Sequence, residues 1–520
     1  MASFLKKALP GVLPPALAAN PDLNAAGMNG TVLASIVTAA ASRTFPEAIS
    51  MRAVREIRAT RVTRAAVLER ALRASGRRFI LEVKAASPSE GLMRGTIDTD
   101  VYARTYGRFA DAVSVVTEPD FFAGSFDRLA DIRQKTVLPI LAKDFFVKDF
   151  FVKEAQILAA ARAGADAVLL MLSVLSDIGY RKLAAFAQSL GLEILTEADS
   201  ETDLARARRL GLRLIGINNR DLRTLTVDRR RVETLLDMVS EDAVIVAESG
   251  YATAADLAAS SARVFLCGSA VSKAPDVSVG VRELLYGESK VCGITRAEDA
   301  VAAAKAGAVA VGIILAERSS RKVSTQAAAE LSAAVRRQTE VAGLPVEIVA
   351  VADAQEVTGE VLKTLDAMQA DVVQLHGDLS QVLKTAEVLR RAFPDVKTVV
   401  AVGLPTVATA HCRAAVKDDV RKIEAAFEAR LIDRVTLDHA AGGTGSGFDR
   451  DLLPLFATLP RVTLAGGLTP ENVIDLQRAA LSAGLRLSGF DFNSGVEDAP
   501  GVKSAEKIGR AFAAVAGRRY

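Results

Sequence analysis

The feature that most constrains this chain is a rhythm. Through the first half, short runs rich in Val, Ile and Leu return about every 26 residues, and Ala/Arg/Leu stretches of helical periodicity fill the gaps. The runs begin near Phe79 (FILEVK), Val113 (VSVVTE), Val137 (VLPILAK), Asp166 (DAVLLML), Leu192 (LEILTE), Arg213 (RLIGINN), Ala243 (AVIVAES) and Arg263 (RVFLCGS). Runs that are apolar throughout suit strands covered on both faces of a parallel sheet. The spacing matches one strand, one helix and two short loops. The second half repeats it at about 28 residues, from Lys290 (KVCGI) through Ala308, Pro345, Asp371, Val396, Asp433 and Arg461 to Arg486 (RLSGFDF). Sixteen parallel strands would overfill an open sheet, whose usual limit is about ten. The pattern therefore predicts an α/β chain of two consecutive (β/α)8 TIM barrels, and 520 residues is the length two such barrels need. The expected domains are a frayed tail over 1–28, a barrel over 29–287 and a barrel over 288–520.

Composition excludes other classes. Lys+Arg 65 against Asp+Glu 62 leaves a net charge of +3, too little for a nucleic-acid field, and the absence of Trp leaves few stacking platforms. Cys267, Cys292 and Cys412 show no CxxC spacing, which points to a reduced, cytoplasmic setting rather than a disulfide framework. With only His376, His411 and His439, no metal site is expected. No apolar run reaches the length of a membrane span, and Pro10, Pro14 and Pro15 break the one weak signal-peptide-like stretch. Neither a P-loop nor a GxGxxG motif opens a βαβ unit, so no cofactor is expected. A fused pair of barrels has less need of a partner, and a monomer is expected.

The strand ends carry the chemistry, because barrel strands point their C-terminal ends at one mouth. In the first half those ends read Glu82 and Lys84, Lys143, Glu197, Asn218, and Glu248 with Ser249. Unpaired charges are costly to bury, so such a set is hard to explain as core. Gathered at one mouth, the lysines and glutamates would neutralise one another and divide acid and base roles. Gly250 after the seventh strand, and Gly268 with Ser269 after the eighth, occupy the usual barrel phosphate position. Gly466 and Gly467, then Asn493, Ser494 and Gly495, occupy the same places in the second half. A phosphorylated small-molecule substrate is expected for each.

Longer motifs bring a resemblance. FILEVKAASPSEG (79–91), LTE (195–197), GINNRDL (216–222), AESG (247–250) and the KDF segment resemble indole-3-glycerol phosphate synthase. KVCGITR from Lys290, QLHG (374–377), DHAAGGTGSGFD (438–449), LAGGL (464–468) and DFNSGVE (491–497) resemble phosphoribosylanthranilate isomerase. The order is similar to the fused bifunctional enzymes of bacterial tryptophan biosynthesis, over about residues 30–520. In the synthase half the resemblance implies Lys143 as the first acid, Lys84 as a second proton donor and Glu197 as the base. It implies Glu82 orienting both lysines, Asn218 on a hydroxyl, Arg220 on the anthranilate carboxylate, and Ser87, Ser249, Gly250, Gly268 and Ser269 around the phosphate. In the isomerase half it implies Asp438 as the acid, Cys292 as the base, Arg321 on the carboxylate, and Gly467, Asn493 and Ser494 on the phosphate. By residue type alone Cys292 reads as a small core residue, like Cys267 and Cys412; the motif reverses that reading. His376 suits a role at the mouth or a structural hydrogen bond equally.

One departure stands out. Residues 143–152 read KDFFVKDFFV, a tandem repeat where the family pattern resembles a single KDF segment. Counting from the preceding strand selects Lys143, and counting back from the following helix selects Lys148. The strand sets the mouth, so Lys143 is favoured. Two alternatives follow. One is a fused pair of other phosphosugar barrels, against which EVKAASPSEG and KVCGITR speak. The other is a chain with one non-catalytic, phosphosugar-binding barrel, with the repeat making the first barrel the candidate.

Overall fold

The computed structural model describes residues 31–43, 51–61, 66–144, 152–221, 223–439 and 448–519. The expected 1–28 tail and Lys148 lie outside them. The chain divides into two compact units, one running to Ala252 with Ser260–Gly280, the other being Thr253–Ala259 with Val281–Tyr520.

The first unit contains a closed barrel of eight parallel strands. They are β1 (Arg78–Val83), β2 (Ala112–Val116), β3 (Ile140–Lys143), β4 (Ala167–Met171), β5 (Glu193–Glu197), β6 (Leu214–Asn218), β7 (Val244–Glu248) and β8 (Val264–Cys267). Each strand pairs with its sequence neighbours, and β1 closes the ring against β8. Most of these residues are buried on both faces, as their unbroken apolar runs require. The barrel interior is one apolar cluster that includes Ile80, Leu141, Leu169, Leu195, Val246 and Leu266. Leu33 and Ile36 of α1 (Val32–Ser42) join it.

The second unit repeats the plan. Its strands are β9 (Lys290–Val291), β10 (Ala310–Ile314), β11 (Glu347–Asp353), β12 (Val372–His376), β13 (Lys397–Leu404), β14 (Arg434–His439), β15 (Val462–Leu464) and β16 (Leu487–Phe492). β9 closes against β16, with Lys290 opposite Asp491. Each of the sixteen strands starts within about three residues of its sequence-predicted position. Two hairpins were not foreseen: Ala86–Ser87 with Gly91–Leu92, and Glu497–Ala499 with Val502–Lys503.

One device recurs at the N-terminal ends of the strands. An Asp just before an even-numbered strand accepts the backbone N–H at the start of the strand before it and pairs with an Arg. Asp111 takes Phe79 N–H at 2.8 Å, Asp166 takes Ile140 at 2.9 Å, Asp371 takes Ile348 at 2.7 Å and Asp433 takes Thr398 at 2.8 Å. Their partners are Arg78, Arg133, Arg336 and Arg390. Each carboxylate satisfies a main-chain donor that the sheet cannot. The opposite ends are thereby left for chemistry. Among the described residues, no helix is long and apolar enough to cross a membrane.

Candidate active sites

At the C-terminal mouth of the first barrel lies a cleft of about 240 Å³. Glu82, Lys84, Ser87, Lys143, Glu197, Asn218, Arg220, Ser249, Gly250, Gly268 and Ser269 all line it. Glu248 sits behind them, fully buried, with its Oε2 2.8 Å from Lys143 Nζ. Glu82 is the hub. Its Oε1 lies 2.8 Å from Lys84 Nζ, and its Oε2 lies 3.4 Å from Lys143 Nζ. Burial alone would raise the Glu82 carboxyl, but the two ammoniums win and hold it at about 2. Burial would likewise lower Lys143, but Glu248, Glu82 and Glu197 hold it above the ordinary lysine range. Lys84 also donates to Ser269 Oγ at 3.3 Å. Gly268 belongs to this arrangement through space: a Cβ there would meet Glu82 Oε1 at 2.7 Å.

Glu197 behaves oppositely. Burial and the neighbouring Glu248 push it up to about 8, against Lys143 and the Asn218 amide, which donates to Oε1 at 3.1 Å. One mouth therefore holds an ionised carboxylate, an ammonium and a carboxyl poised near neutrality, the separation that acid–base chemistry needs. Ser249 and Gly250 both have left-handed backbone (φ 64 and 85), a conformation costly for serine, which turns the chain sharply after β7. Arg220 donates to Leu225 O at 2.9 Å.

Sequence reasoning missed Ile36 and Phe122, which also line this cleft. Arg43, which follows α1, pairs with the fully buried Glu118 and Asp144. Asp144 directly follows Lys143, so α1 is tied to the end of β3. Alternation within a short helix carries no signal for such a tether.

The second mouth opens a cleft of about 300 Å³ lined by Cys292, Arg321, His376, Asp438, Gly466, Gly467, Asn493 and Ser494. Cys292 follows β9 and is buried. Burial raises its thiol, and Lys290 and then Lys503 pull it back. Burial, then Asp491, push Asp438 up to about 6, against the His439 N–H that its Oδ1 accepts at 2.7 Å. His376 is held down to about 4 by burial and Lys290, and its Nε2 lies 3.1 Å from the Gln374 amide nitrogen. Arg321 is not loose: its Nε and Nη2 donate to Glu497 at 2.9 and 2.7 Å. Lys503 reaches the same carboxylate at 2.6 Å and Asn493 Oδ1 at 2.9 Å. Sequence reasoning passed over Gln374, Asp491, Glu497 and Lys503, although the first three stand inside quoted motifs. Cys267 is buried as expected, but Cys412 is only half-buried, because it lies in the first turn of the helix Ala410–Glu428 rather than on a strand.

Two closed barrels, each with ionisable side chains and a Gly/Ser rim at the mouth where barrel enzymes work, define a tandem of (β/α)8 enzymes. Residues 34–284 match the family model described as indole-3-glycerol phosphate synthase, and residues 289–514 match that of N-(5'phosphoribosyl)anthranilate (PRA) isomerase. Similar curated proteins are the tryptophan biosynthesis protein TrpCF of Yersinia pestis, 39% identical over 440 residues (84% of each chain), and that of Vibrio cholerae, 37% identical over 442 residues (84% of this chain, 85% of the other). The TrpCF of Corynebacterium glutamicum is 36% identical over 459 residues, covering 86% of this chain and 89% of its own. The chain belongs to the family of bifunctional indole-3-glycerol phosphate synthase/phosphoribosylanthranilate isomerases of tryptophan biosynthesis. Both halves match enzyme families, which favours two activities over one non-catalytic barrel.

Proposed function

We propose the following division of labour for the two activities. In the second barrel, Asp438 protonates the furanose ring oxygen of N-(5-phosphoribosyl)anthranilate as the ring opens. Cys292 takes the proton from C2 of the sugar, and the Amadori product 1-(2-carboxyphenylamino)-1-deoxyribulose 5-phosphate results. Arg321 meets the anthranilate carboxylate through the guanidinium face that Glu497 leaves open. Gly467, Asn493 and Ser494 hold the phosphate.

In the first barrel, Lys143 steadies the carbonyl oxygen while the aromatic carbon attacks the carbonyl carbon, and CO2 then leaves the ring. Lys84 then protonates the departing hydroxyl, and Glu197 removes the proton whose loss completes the indole ring. Glu82 positions both lysines, Asn218 holds a substrate hydroxyl and Arg220 meets the carboxylate. Ser87, Ser249, Gly250, Gly268 and Ser269 surround the phosphate of indole-3-glycerol phosphate. The observation that carries this reading is Lys143 set between Glu82 and Glu248 in the cleft that Glu197 also lines. The reading also has a junction at 287/288 and a monomer working in the cytoplasm.

Separate assays test it. Cys292→Ala should abolish the isomerase and spare the synthase, and Glu197→Gln should do the reverse. Either change silencing both activities in a folded chain would show the two-site assignment to be wrong.

A further inference from the structure

The second mouth contains a buried ion pair that no step above uses. Lys290 and Asp491 face each other across the closing seam of the barrel, 2.8 Å apart and each only 7% exposed. The Lys290 ammonium is also the strongest charge acting on the Cys292 thiol, which it approaches closely enough to pull down. Gly312 on β10 leaves room for that approach: a Cβ there would sit 2.6 Å from Cys292 Sγ and 3.2 Å from Lys290 Nζ. Neither Lys290 Nζ nor Asp491 Oδ1 completes a well-formed hydrogen bond with a described residue. Asp491 lines the same cleft as Asp438 and acts on it electrostatically.

A buried pair of this kind is weak evidence for stability, since apolar residues of similar volume often do as well or better. Its influence on both the thiol and the acid gives it a different use. We propose that the Lys290–Asp491 pair divides the protons of the isomerase site, Lys290 serving as the counter-ion of the Cys292 thiolate and Asp491 keeping the proton on Asp438. This rests on the reading of Cys292 as base and Asp438 as acid. The remaining charged or titratable groups around the thiol fit it. Lys503 and Arg321 are cations tied to Glu497, and His376 stays neutral above about pH 4. Lys290 is thus the cation that acts most strongly on the sulfur, ahead of Lys503, and Asp491 opposes both.

Alkylation of Cys292 by iodoacetamide, followed against pH by mass spectrometry of its peptide in a Cys412→Ser background, reads the thiolate directly. Lys290→Met should move the midpoint up by about one unit and lower isomerase kcat about 100-fold at neutral pH. Lys290→Arg should keep the midpoint near its original place. Asp491→Asn should move the midpoint down, and should shift the loss of isomerase activity at rising pH to lower pH because Asp438 then gives up its proton sooner. An unchanged midpoint in folded Lys290→Met, or shifts of the same sign in the Met and Asn variants, would overturn the proposal. If Lys290→Met does not fold, the direction seen in Asp491→Asn decides alone. Isomerase activity surviving Cys292→Ala would instead overturn the underlying role of the thiol and leave the alkylation result standing.

Discussion

Single side chains in the first mouth make opposite statements about pH. Glu197 is pushed up to about 8 by burial and by Glu248. If it is the base, its working form is the ionised one, so synthase kcat should climb with pH and level off above about 8. The pH–rate profile checks this, and a profile flat from pH 6 to 9 would remove Glu197 from that role. Glu82 is held down at about 2, below the ordinary 4.5, with Lys84 and Lys143 outweighing its burial. A depressed carboxylate contributes stability that is fully present above its unfolded value and is lost as pH falls toward the folded one. The window is therefore about pH 4.5 down to 2, and the contribution is on the order of 3 kcal/mol. Urea unfolding across that window should show a shallower pH slope for Glu82→Gln than for the unaltered chain. At this scale the sequence shows residue types but not their partners. A Glu at a strand end is legible as a site residue. That one such Glu is ionised and another poised near neutrality depends on which ends of distant strands stand beside it.

Elements were the most legible level. Apolar runs without alternation announce buried parallel strands, and all sixteen lie where the rhythm put them. The Asp clamps before β2, β4, β12 and β14 are visible afterwards as a small-residue or loop end followed by Asp and a run of Val or Leu, but nothing local marks the Asp as buried. Their weights should differ. Asp166 has a fully buried side chain paired with Arg133, so Asp166→Ala should cost about 3 kcal/mol, because Arg133 loses its carboxylate and the Ile140 N–H its acceptor. Asp371 is 37% exposed, so its ion pair should contribute only about 1 kcal/mol. Equal losses on thermal unfolding would show that the main-chain contact, not burial of the charge, carries the clamp. The KDFFVKDFFV repeat belongs here too. Lys143 ends β3 inside the Glu82–Glu248 pair. Lys143→Ala should therefore cost far more synthase activity than Lys148→Ala, by about 100-fold or more. The reverse ranking would mean that the helix Val152–Ala163 sets the register.

For the whole molecule the two-site reading makes a complementation prediction. A chain carrying Cys292→Ala and a chain carrying Glu197→Gln, each unable to complete both steps, should together convert N-(5-phosphoribosyl)anthranilate to indole-3-glycerol phosphate. The mixture needs only release of the intermediate by one chain and capture by the other. Failure of the mixture, with each single activity intact, would show that the intermediate does not pass through solution. The sequence by itself determined the number of barrel strands, their order and the side chains their ends present, because those follow from local periodicity. Closure of each ring decided the rest. It set β1 against β8 and β9 against β16, and so put Lys290 beside Asp491 and gathered Glu82, Lys143 and Glu248 into one charge balance. Burial and Coulomb energies depend on separation in space, and only the closed barrel fixes the separation of residues so far apart along the chain.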